Sequence, residues 1–182
     1  MQEMTETDSY SDNFNEVSNE LPILRVIAFI LQEASKEGSL LTGPNLNLTR
    51  FHTLSPPKMS ILSYLEYLKE KSHCSITCFV VSLIYLDHLI AGNVNIQITP
   101  NTVHKLFLAA LVTTVKFHTD ICLNNSAWSI IGGIRVEELD ILENEFLFLL
   151  KFSLVISKEE FNKYNRELKL KSALPPFSKT FI

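Results

Sequence analysis

Apolar residues recur at helical spacing through most of the chain, and start and stop signals divide this pattern into helices. The first helix is predicted over residues 21–36, where apolar side chains return every three or four positions. Pro22 suits its first turn, and Gly38 is its predicted stop signal. Residues 40–55 contain Gly43-Pro44 and several Asn and Thr residues, which predicts an extended linker.

Five further helices are predicted between residues 55 and 151. Ser55 before two prolines opens one that ends near residue 71, and Gly92 ends another over residues 76–91. Thr99 before Pro100 is a strong start signal, because a capping hydroxyl precedes a proline at the first helical position. This third helix is predicted over residues 99–118. The fourth covers residues 124–131 and ends at Gly132-Gly133, and the fifth covers residues 135–151.

The predicted helices differ in how their apolar residues are distributed. Helix 99–118 is apolar on nearly all sides, which indicates an internal position, whereas helix 135–151 carries acidic residues that indicate the periphery. One central helix with about four others around it is typical of an orthogonal bundle, because an up-and-down bundle has no central member. A capping box of Ser157 and Glu160 predicts one more helix, over residues 157–168. The predicted fold class is therefore all-α.

The charge is unevenly placed along the chain. Residues 1–20 hold six acidic residues and no Lys or Arg, and this composition predicts a disordered tail. The net charge is −4, so the other residues together carry only about +2. Because the body has no basic excess, nucleic acid is not an expected partner.

The three cysteines, Cys74, Cys78 and Cys122, are an odd number without a Cys-x-x-Cys motif, and no secretory signal is present. We therefore expect reduced thiols that pack as small apolar side chains in an intracellular protein of the nucleus or cytoplasm. The longest apolar stretch, residues 76–91, is interrupted by polar residues and is shorter than the roughly 20 residues of a membrane span. A soluble protein without a membrane partner is expected.

The sequence contains no readable catalytic motif. Neither Gly-x-x-x-x-Gly-Lys-Ser/Thr nor Gly-x-Gly-x-x-Gly occurs, so no nucleotide cradle is expected. The five histidines, at positions 52, 73, 88, 104 and 118, lack helical pairing, which argues against a metal site. A solvated helical face explains the carboxylates between Glu137 and Glu145 better than acid–base chemistry does. We expect no enzymatic activity, no cofactor and no small-molecule substrate.

Several stretches, in their order and spacing, resemble the cyclin box. Residues 84–89, Ile-Tyr-Leu-Asp-His-Leu, resemble the Tyr-Ile-Asp-Arg-Phe stretch of cyclins. The similarity continues through Val115-Lys116-Phe117, Trp128, Gly132-Gly133-Ile134 and residues 138–147. The stretch after the glycine pair and residues 51–61 resemble the P/U-type cyclins of phosphate signalling. The resemblance covers about residues 50–155.

This resemblance implies a five-helix cyclin box, in which the central third helix is residues 99–118 and four helices surround it. The predicted helix 21–36 lies where cyclins carry an extra N-terminal helix, and the capping box at Ser157 adds a short C-terminal helix. The expected divisions are a disordered acidic tail (1–20), the N-terminal helix and linker (21–50), the cyclin box (51–156), and the C-terminal helix and tail (157–182). The implied function is a regulatory subunit that activates a cyclin-dependent serine/threonine kinase by holding its regulatory helix in the active position.

The resemblance also implies which residues bind the kinase. Lys116 and Glu143 match the Lys and Glu with which cyclins grip the regulatory helix, and the apolar matches are Phe117, Leu147, Phe152 and Leu154. The pattern alone favours a Lys116 ammonium that extends into solvent at its helix end, and a Glu143 that belongs to a solvated face. With the resemblance, the pair is interpreted as the charged edge of an apolar, helix-binding groove.

The sequence departs from the family pattern in two places. His88 replaces the Arg of the Tyr-Ile-Asp-Arg-Phe stretch. The positions of the substrate-docking patch, where cell-cycle cyclins carry Met, Arg, Leu and Trp, hold Pro57, Lys58, Ile61 and Tyr64. Because a lone buried carboxylate is costly, we predict a structural ion pair between Lys58 and Asp87.

Two other functions remain open from the sequence. One is a scaffold that keeps the cyclin fold without activating a kinase. The other is a box of the kind that general transcription factors use in pairs, although only about 105 residues match a box and the body lacks a basic stripe.

Overall fold

The computed structural model describes residues 20–41, 48–93, 96–121 and 123–177. Within these ranges the chain is entirely helical, with seven helices and no strand: α1 (Glu20–Leu41), α2 (Ile61–Ser72), α3 (Ile76–Gly92), α4 (Val103–His118), α5 (Asn125–Gly132), α6 (Val136–Leu149) and α7 (Lys158–Ser172). Residues 1–19 of the predicted tail (1–20), residues 42–47 of the predicted linker, and Cys122 lie outside the described residues, whereas Glu20 is the first residue of α1. None of the seven helices combines the length and apolar character that a membrane crossing requires.

Helix α4 is the centre of the fold, as its all-round apolar pattern predicts. Every residue from Leu106 to Val115 is buried, and the helix packs against α2, α3 and α6. Helix α5 completes the ring, because the backbone at Gly132 lies directly on the Leu108 side chain of α4. Helices α2 to α6 therefore form the five-helix box, with α4 as its third helix, and the all-α prediction is confirmed.

The two remaining helices close one side of the bundle. Helix α1 packs against α2, α3 and α7, and α7 also packs against α3. Apolar side chains from both, including Ile27 of α1 and Leu168 of α7, belong to the same buried core as the box helices. The described residues therefore share one hydrophobic core.

Two helices begin later than their proline signals predict. Helix α2 begins at Ile61, because Ser60 accepts a hydrogen bond from the Ser63 backbone N–H at 3.1 Å and is the N-cap. Helix α4 begins at Val103. The Thr102 hydroxyl accepts from the Thr99 N–H and donates to the Gln97 carbonyl, both at 2.8 Å, which holds a turn ahead of the helix.

Gly38 does not end the first helix, and that prediction is wrong. Helix α1 continues through Gly38 to Leu41. A Cβ at this position would overlap the backbone carbonyl of Ile98, so the glycine allows α1 to lie directly on the segment that precedes α4.

The C-terminal helix is held by two polar contacts with α3. Ser157 caps α7 by accepting from the Glu160 N–H at 3.1 Å, which confirms the Ser157 half of the predicted capping box. The Glu160 carboxylate lies 2.7 Å from His88 Nε2, so its side chain serves this contact with α3. One turn further, the Tyr164 hydroxyl donates to Asp87 at 2.8 Å.

The predicted ion pair between Lys58 and Asp87 is wrong. Asp87 bonds to Tyr164 of α7, and the exposed Lys58 makes no ion pair with it. Partial desolvation raises the pKa of the Asp87 carboxyl, while the Tyr164 hydrogen bond acts in the opposite direction. The polar partner of Asp87 comes instead from α7, a helix far along the chain from Lys58.

Candidate functional site

Lys116 and Glu143 form an ion pair at one end of the bundle. Lys116 lies in the last turn of α4, and its Nζ is 2.7 Å from both carboxylate oxygens of Glu143 on α6. The side chains are 34% and 14% exposed. A bidentate contact of this kind is a strong, charge-assisted hydrogen bond, and the C-terminal end of α4 adds a favourable dipole for the ammonium. The Lys116 ammonium therefore binds a carboxylate at the protein surface.

Asn125 orders this ion pair. Its Oδ1 accepts from Lys116 Nζ at 2.6 Å, and its Nδ2 donates to Glu143 at 2.8 Å and to Asp140 at 2.6 Å. The amide oxygen faces the cation and the amide nitrogen faces the two carboxylates, which is the orientation that satisfies all three groups. We call these four residues the polar network: Lys116, Asn125, Asp140 and Glu143.

The sequence did not identify Asn125 or Asp140. Asn124, the residue before Asn125, is the N-cap of α5 and accepts from the Ala127 N–H at 2.9 Å. Two adjacent asparagines at a helix start are typical of capping, and this conceals the different role of the second one.

The apolar residues predicted for this site lie on α4 and α6, which carry Lys116 and Glu143 of the polar network, and on the segment after α6. Phe117 follows Lys116 and is 51% exposed, and Phe152 is 59% exposed. Leu147, one turn after Glu143 on α6, and Leu154 are partly buried. We call the six residues predicted from the resemblance the candidate surface: Lys116, Glu143, Phe117, Leu147, Phe152 and Leu154.

Phe148 is an aromatic neighbour of the candidate surface that the sequence did not identify. The ring of Phe148 packs edge-on against Phe152, with centroids 5.2 Å apart, and is 68% exposed. Exposed phenylalanines that contact one another form an apolar patch, and such patches mark sites of association.

An unusual turn presents Phe152. After α6, Lys151 and Phe152 both have left-handed backbone conformations, with φ of 52° and 55°. The Lys151 N–H bonds the Phe148 carbonyl and the Phe152 N–H bonds the Leu147 carbonyl, both at 2.9 Å. This is a Schellman motif with lysine at the position that glycine usually occupies. It turns the chain back so that Phe152 contacts the last turn of α6.

Tyr85 connects the candidate surface to the centre of the bundle. The side chain is fully buried on α3, and its hydroxyl lies 2.6 Å from the Leu154 carbonyl and 2.8 Å from His118 Nε2. Burial raises the pKa of Tyr85, so the hydroxyl keeps its proton, and burial lowers the pKa of His118. The ring of Phe117 packs edge-on against His118, with centroids 4.9 Å apart.

The positions that match the substrate-docking patch lie on another part of the molecule. Ile61 and Tyr64 are buried, and Tyr64 is packed against the His104 ring with centroids 4.9 Å apart. Pro57 is partly buried and Lys58 is exposed. The two larger apolar side chains at these positions therefore contribute to the core.

Within the described ranges, no group of three or more His, Cys, Asp or Glu side chains is placed to hold a metal ion. Cys74 and Cys78 are buried free thiols, as expected for packing residues.

The chain matches one family model and several known proteins. The family model described as Cyclin matches residues 8–154. The chain is 34% identical over 155 residues to Cyclin-U4-1 of Arabidopsis thaliana, an alignment that covers 82% of this chain and 77% of that protein. It is 30% identical to Cyclin-U4-2 of the same plant over 161 residues, with 85% and 74% covered. Cyclin-P4-1 of Oryza sativa subsp. japonica is 36% identical over 117 residues, with 64% and 55% covered.

Proposed function

This chain belongs to the cyclin family of regulatory proteins, and we propose that it binds and activates a cyclin-dependent serine/threonine kinase through the candidate surface. The proposed partner element is the regulatory helix of the kinase. Because the proposed partner is a kinase of this kind, we also propose that the chain acts inside the cell, in the nucleus or the cytoplasm.

The observation that carries the proposal is the charged pair beside exposed aromatic side chains. Asn125 holds Lys116 and Glu143, and exposed apolar area is offered by Phe117, the next residue on α4, and by Phe152 after α6. An apolar patch with specific polar groups at its edge is the usual anatomy of a site for an amphipathic helix.

The polar network supports tight binding because it is formed without a partner. Lys116 and Glu143 hold each other at 2.7 Å and share Asn125, so their side chains are ordered before association. Ordering a long side chain on binding costs about 0.5–1.5 kcal/mol, and a preformed network removes much of this cost.

The proposed mechanism is a population shift. An inactive kinase has its regulatory helix displaced, so that the Lys–Glu ion pair that positions the ATP phosphates is broken. A partner that binds only the correctly placed helix shifts the equilibrium by its difference in affinity for the two states. Inverting a 99:1 preference takes about 5.5 kcal/mol, which an interface of roughly 1,600 Å² with a few strong contacts can supply.

The experiment combines the purified chain with purified cyclin-dependent kinases and measures two quantities. Calorimetry gives the affinity, and phosphorylation of a peptide substrate gives the activity of each kinase with and without the chain. Binding with a rise in activity is the expected result. Binding without activation would support the scaffold function instead, and absence of binding to every such kinase would contradict the proposal.

A further inference from the structure

The hydroxyl of Tyr85 has two polar contacts, and their chemistry determines the direction of each hydrogen bond. The Leu154 carbonyl, at 2.6 Å, can only accept, so the Tyr85 hydroxyl donates its proton to it. The same oxygen must then accept from His118 Nε2 at 2.8 Å. His118 is therefore in the tautomer that carries a proton on Nε2.

These contacts connect two parts of the candidate surface that are far apart in sequence. On one side, the His118 ring packs edge-on against Phe117 at the end of α4, at 4.9 Å between centroids. On the other side, Tyr85 holds the backbone of Leu154, two residues after Phe152. The series Phe117–His118–Tyr85–Leu154 thus runs from one apolar half of the surface to the other through a side chain of the core.

The segment after α6 depends on such a connection. It leaves the helix through two left-handed residues, Lys151 and Phe152, a conformation that costs non-glycine residues energy. Such a backbone persists only where its surroundings hold it. The hydrogen bond from Tyr85 to Leu154 comes from the centre of the bundle, since Tyr85 is 0% exposed.

We propose that Tyr85 and His118 are positioning residues for the candidate surface. By fixing the Leu154 carbonyl and the Phe117 ring, they set the spacing between the polar network and the apolar side chains of residues 152–154. The inference rests on the proposed kinase-binding function for its binding readout. It also makes a statement about the free protein that is independent of any partner.

The binding test uses Tyr85→Phe, which removes the hydroxyl and keeps the ring. The dissociation constant for the kinase is expected to rise about tenfold, as for the loss of one good hydrogen bond. The matched control is Tyr64→Phe, since Tyr64 is also buried and its hydroxyl donates to a backbone carbonyl, that of Gly132, at 3.4 Å. The control is expected to change the dissociation constant by less than about twofold. Equal increases in the dissociation constant for Tyr85→Phe and Tyr64→Phe would overturn the proposal.

A double-mutant cycle separates positioning from a general loss of stability. If Tyr85 acts through the segment that carries Phe152, then Tyr85→Phe should add less than about a twofold loss of affinity once Phe152 is replaced by Ala. If the loss of affinity in the double variant equals the product of the losses in Tyr85→Phe and Phe152→Ala, the two residues act independently and the positioning role is contradicted. All affinities are measured well below the melting temperature of each variant.

NMR tests the free protein. The ¹⁵N shifts of His118 should identify the Nε2-protonated tautomer in the wild-type chain. Tyr85→Phe should shift the amide signals of residues 152–156, whereas Tyr64→Phe should leave them in place. Unchanged signals in Tyr85→Phe would overturn the inference even where the wild-type chain binds a kinase. A wild-type chain that binds no kinase would overturn the proposed function, and the NMR result would still decide the positioning role.

Discussion

Lys116 and Glu143 are 27 positions apart in the sequence, yet the Lys116 ammonium lies 2.7 Å from both oxygens of the Glu143 carboxylate. Helices α4 and α6 bring them together, and Asn125 of α5 contacts both. Three helices of the box thus meet at one polar network.

Replacing either member of the pair should weaken kinase binding strongly. We expect Lys116→Ala and Glu143→Ala each to cost about 2–5 kcal/mol of binding free energy, since each leaves its partly buried partner without a counter-charge. Calorimetry with the purified kinase measures this loss.

The matched control for this prediction is Lys105→Ala. Lys105 also joins α4 to α6, through Glu138 at 2.7 Å, but lies 11 residues earlier on α4, about 16 Å along the helix axis. It should lower the free energy of unfolding without changing the affinity for the kinase. If Lys105→Ala weakened binding as much as Lys116→Ala, the pair would have no special role at the surface.

The two adjacent asparagines should separate binding from stability. Asn125→Ala removes the amide that orders Lys116 and Glu143, and we expect a loss of about 1 kcal/mol in kinase binding. Asn124→Ala removes the cap of α5, and we expect a loss of about 1 kcal/mol in the free energy of unfolding with unchanged binding. Calorimetry and urea denaturation of both variants measure the two quantities. If Asn124→Ala weakened kinase binding and Asn125→Ala lowered only the free energy of unfolding, the role assigned to Asn125 would be contradicted.

Gly38→Ala should destabilise the protein, although helix propensity alone predicts the opposite. Alanine is favoured over glycine inside a helix by about 1 kcal/mol. At this position its Cβ would overlap the Ile98 carbonyl, so α1 must move away, and we expect a net loss of about 1–3 kcal/mol in the free energy of unfolding.

Gly92→Ala is the control for the change at Gly38. Gly92 is the last residue of α3, and among the described residues no atom beyond its chain neighbours and the α3 backbone lies within 4 Å of a Cβ at this position. It should be neutral or slightly stabilising. A stabilising Gly38→Ala, measured by urea denaturation, would mean that α1 does not lie against the Ile98 backbone.

Two histidines should make the fold less stable at mildly acidic pH. Burial lowers the pKa of His104 and of His118 below the ordinary value of 6.5. The unfolded chain therefore binds more protons just below pH 6.5. The free energy of unfolding should be highest above that pH and fall as the pH drops towards the folded pKa values.

Variants without these imidazoles test the histidine assignment. His104→Asn and His118→Asn should each flatten the slope of unfolding free energy between pH 7 and pH 5, read from denaturation curves at several pH values. Asp87 contributes with the opposite sign and at lower pH, because its pKa is raised above 3.8. An unchanged slope in both histidine variants would show that other groups determine it.

The sequence predicts the architecture well because the necessary signal is local. Helix α4 is apolar on all sides, and that property alone places it in the centre. Ser157 and Asn124 are capping residues whose positions can be interpreted within a few residues of sequence. The starts of α2 and α4 are harder to predict, because Ser60 and Thr102 lie a few residues after the proline signals and precede the first helical residues.

The features that the sequence could not supply depend on contacts between distant segments. Whether Gly38 ends a helix or permits close approach depends on Ile98, some 60 residues later. The Lys151 turn lacks the glycine that usually marks it. The pairing of Lys116 with Glu143 followed from the family resemblance, whereas Asn125 needed the folded arrangement of α4, α5 and α6.

The packing of α1 against α7 has a consequence for synthesis of the protein. The Phe29 ring of α1 contacts the Phe177 ring beyond α7 at 5.4 Å, and 148 residues separate them. At roughly 5–20 residues per second, the ribosome needs about 7–30 s to add that stretch. During this interval the part of α1 that packs against α7 and Phe177 has no partner, so this side of the bundle closes only after translation has passed residue 177.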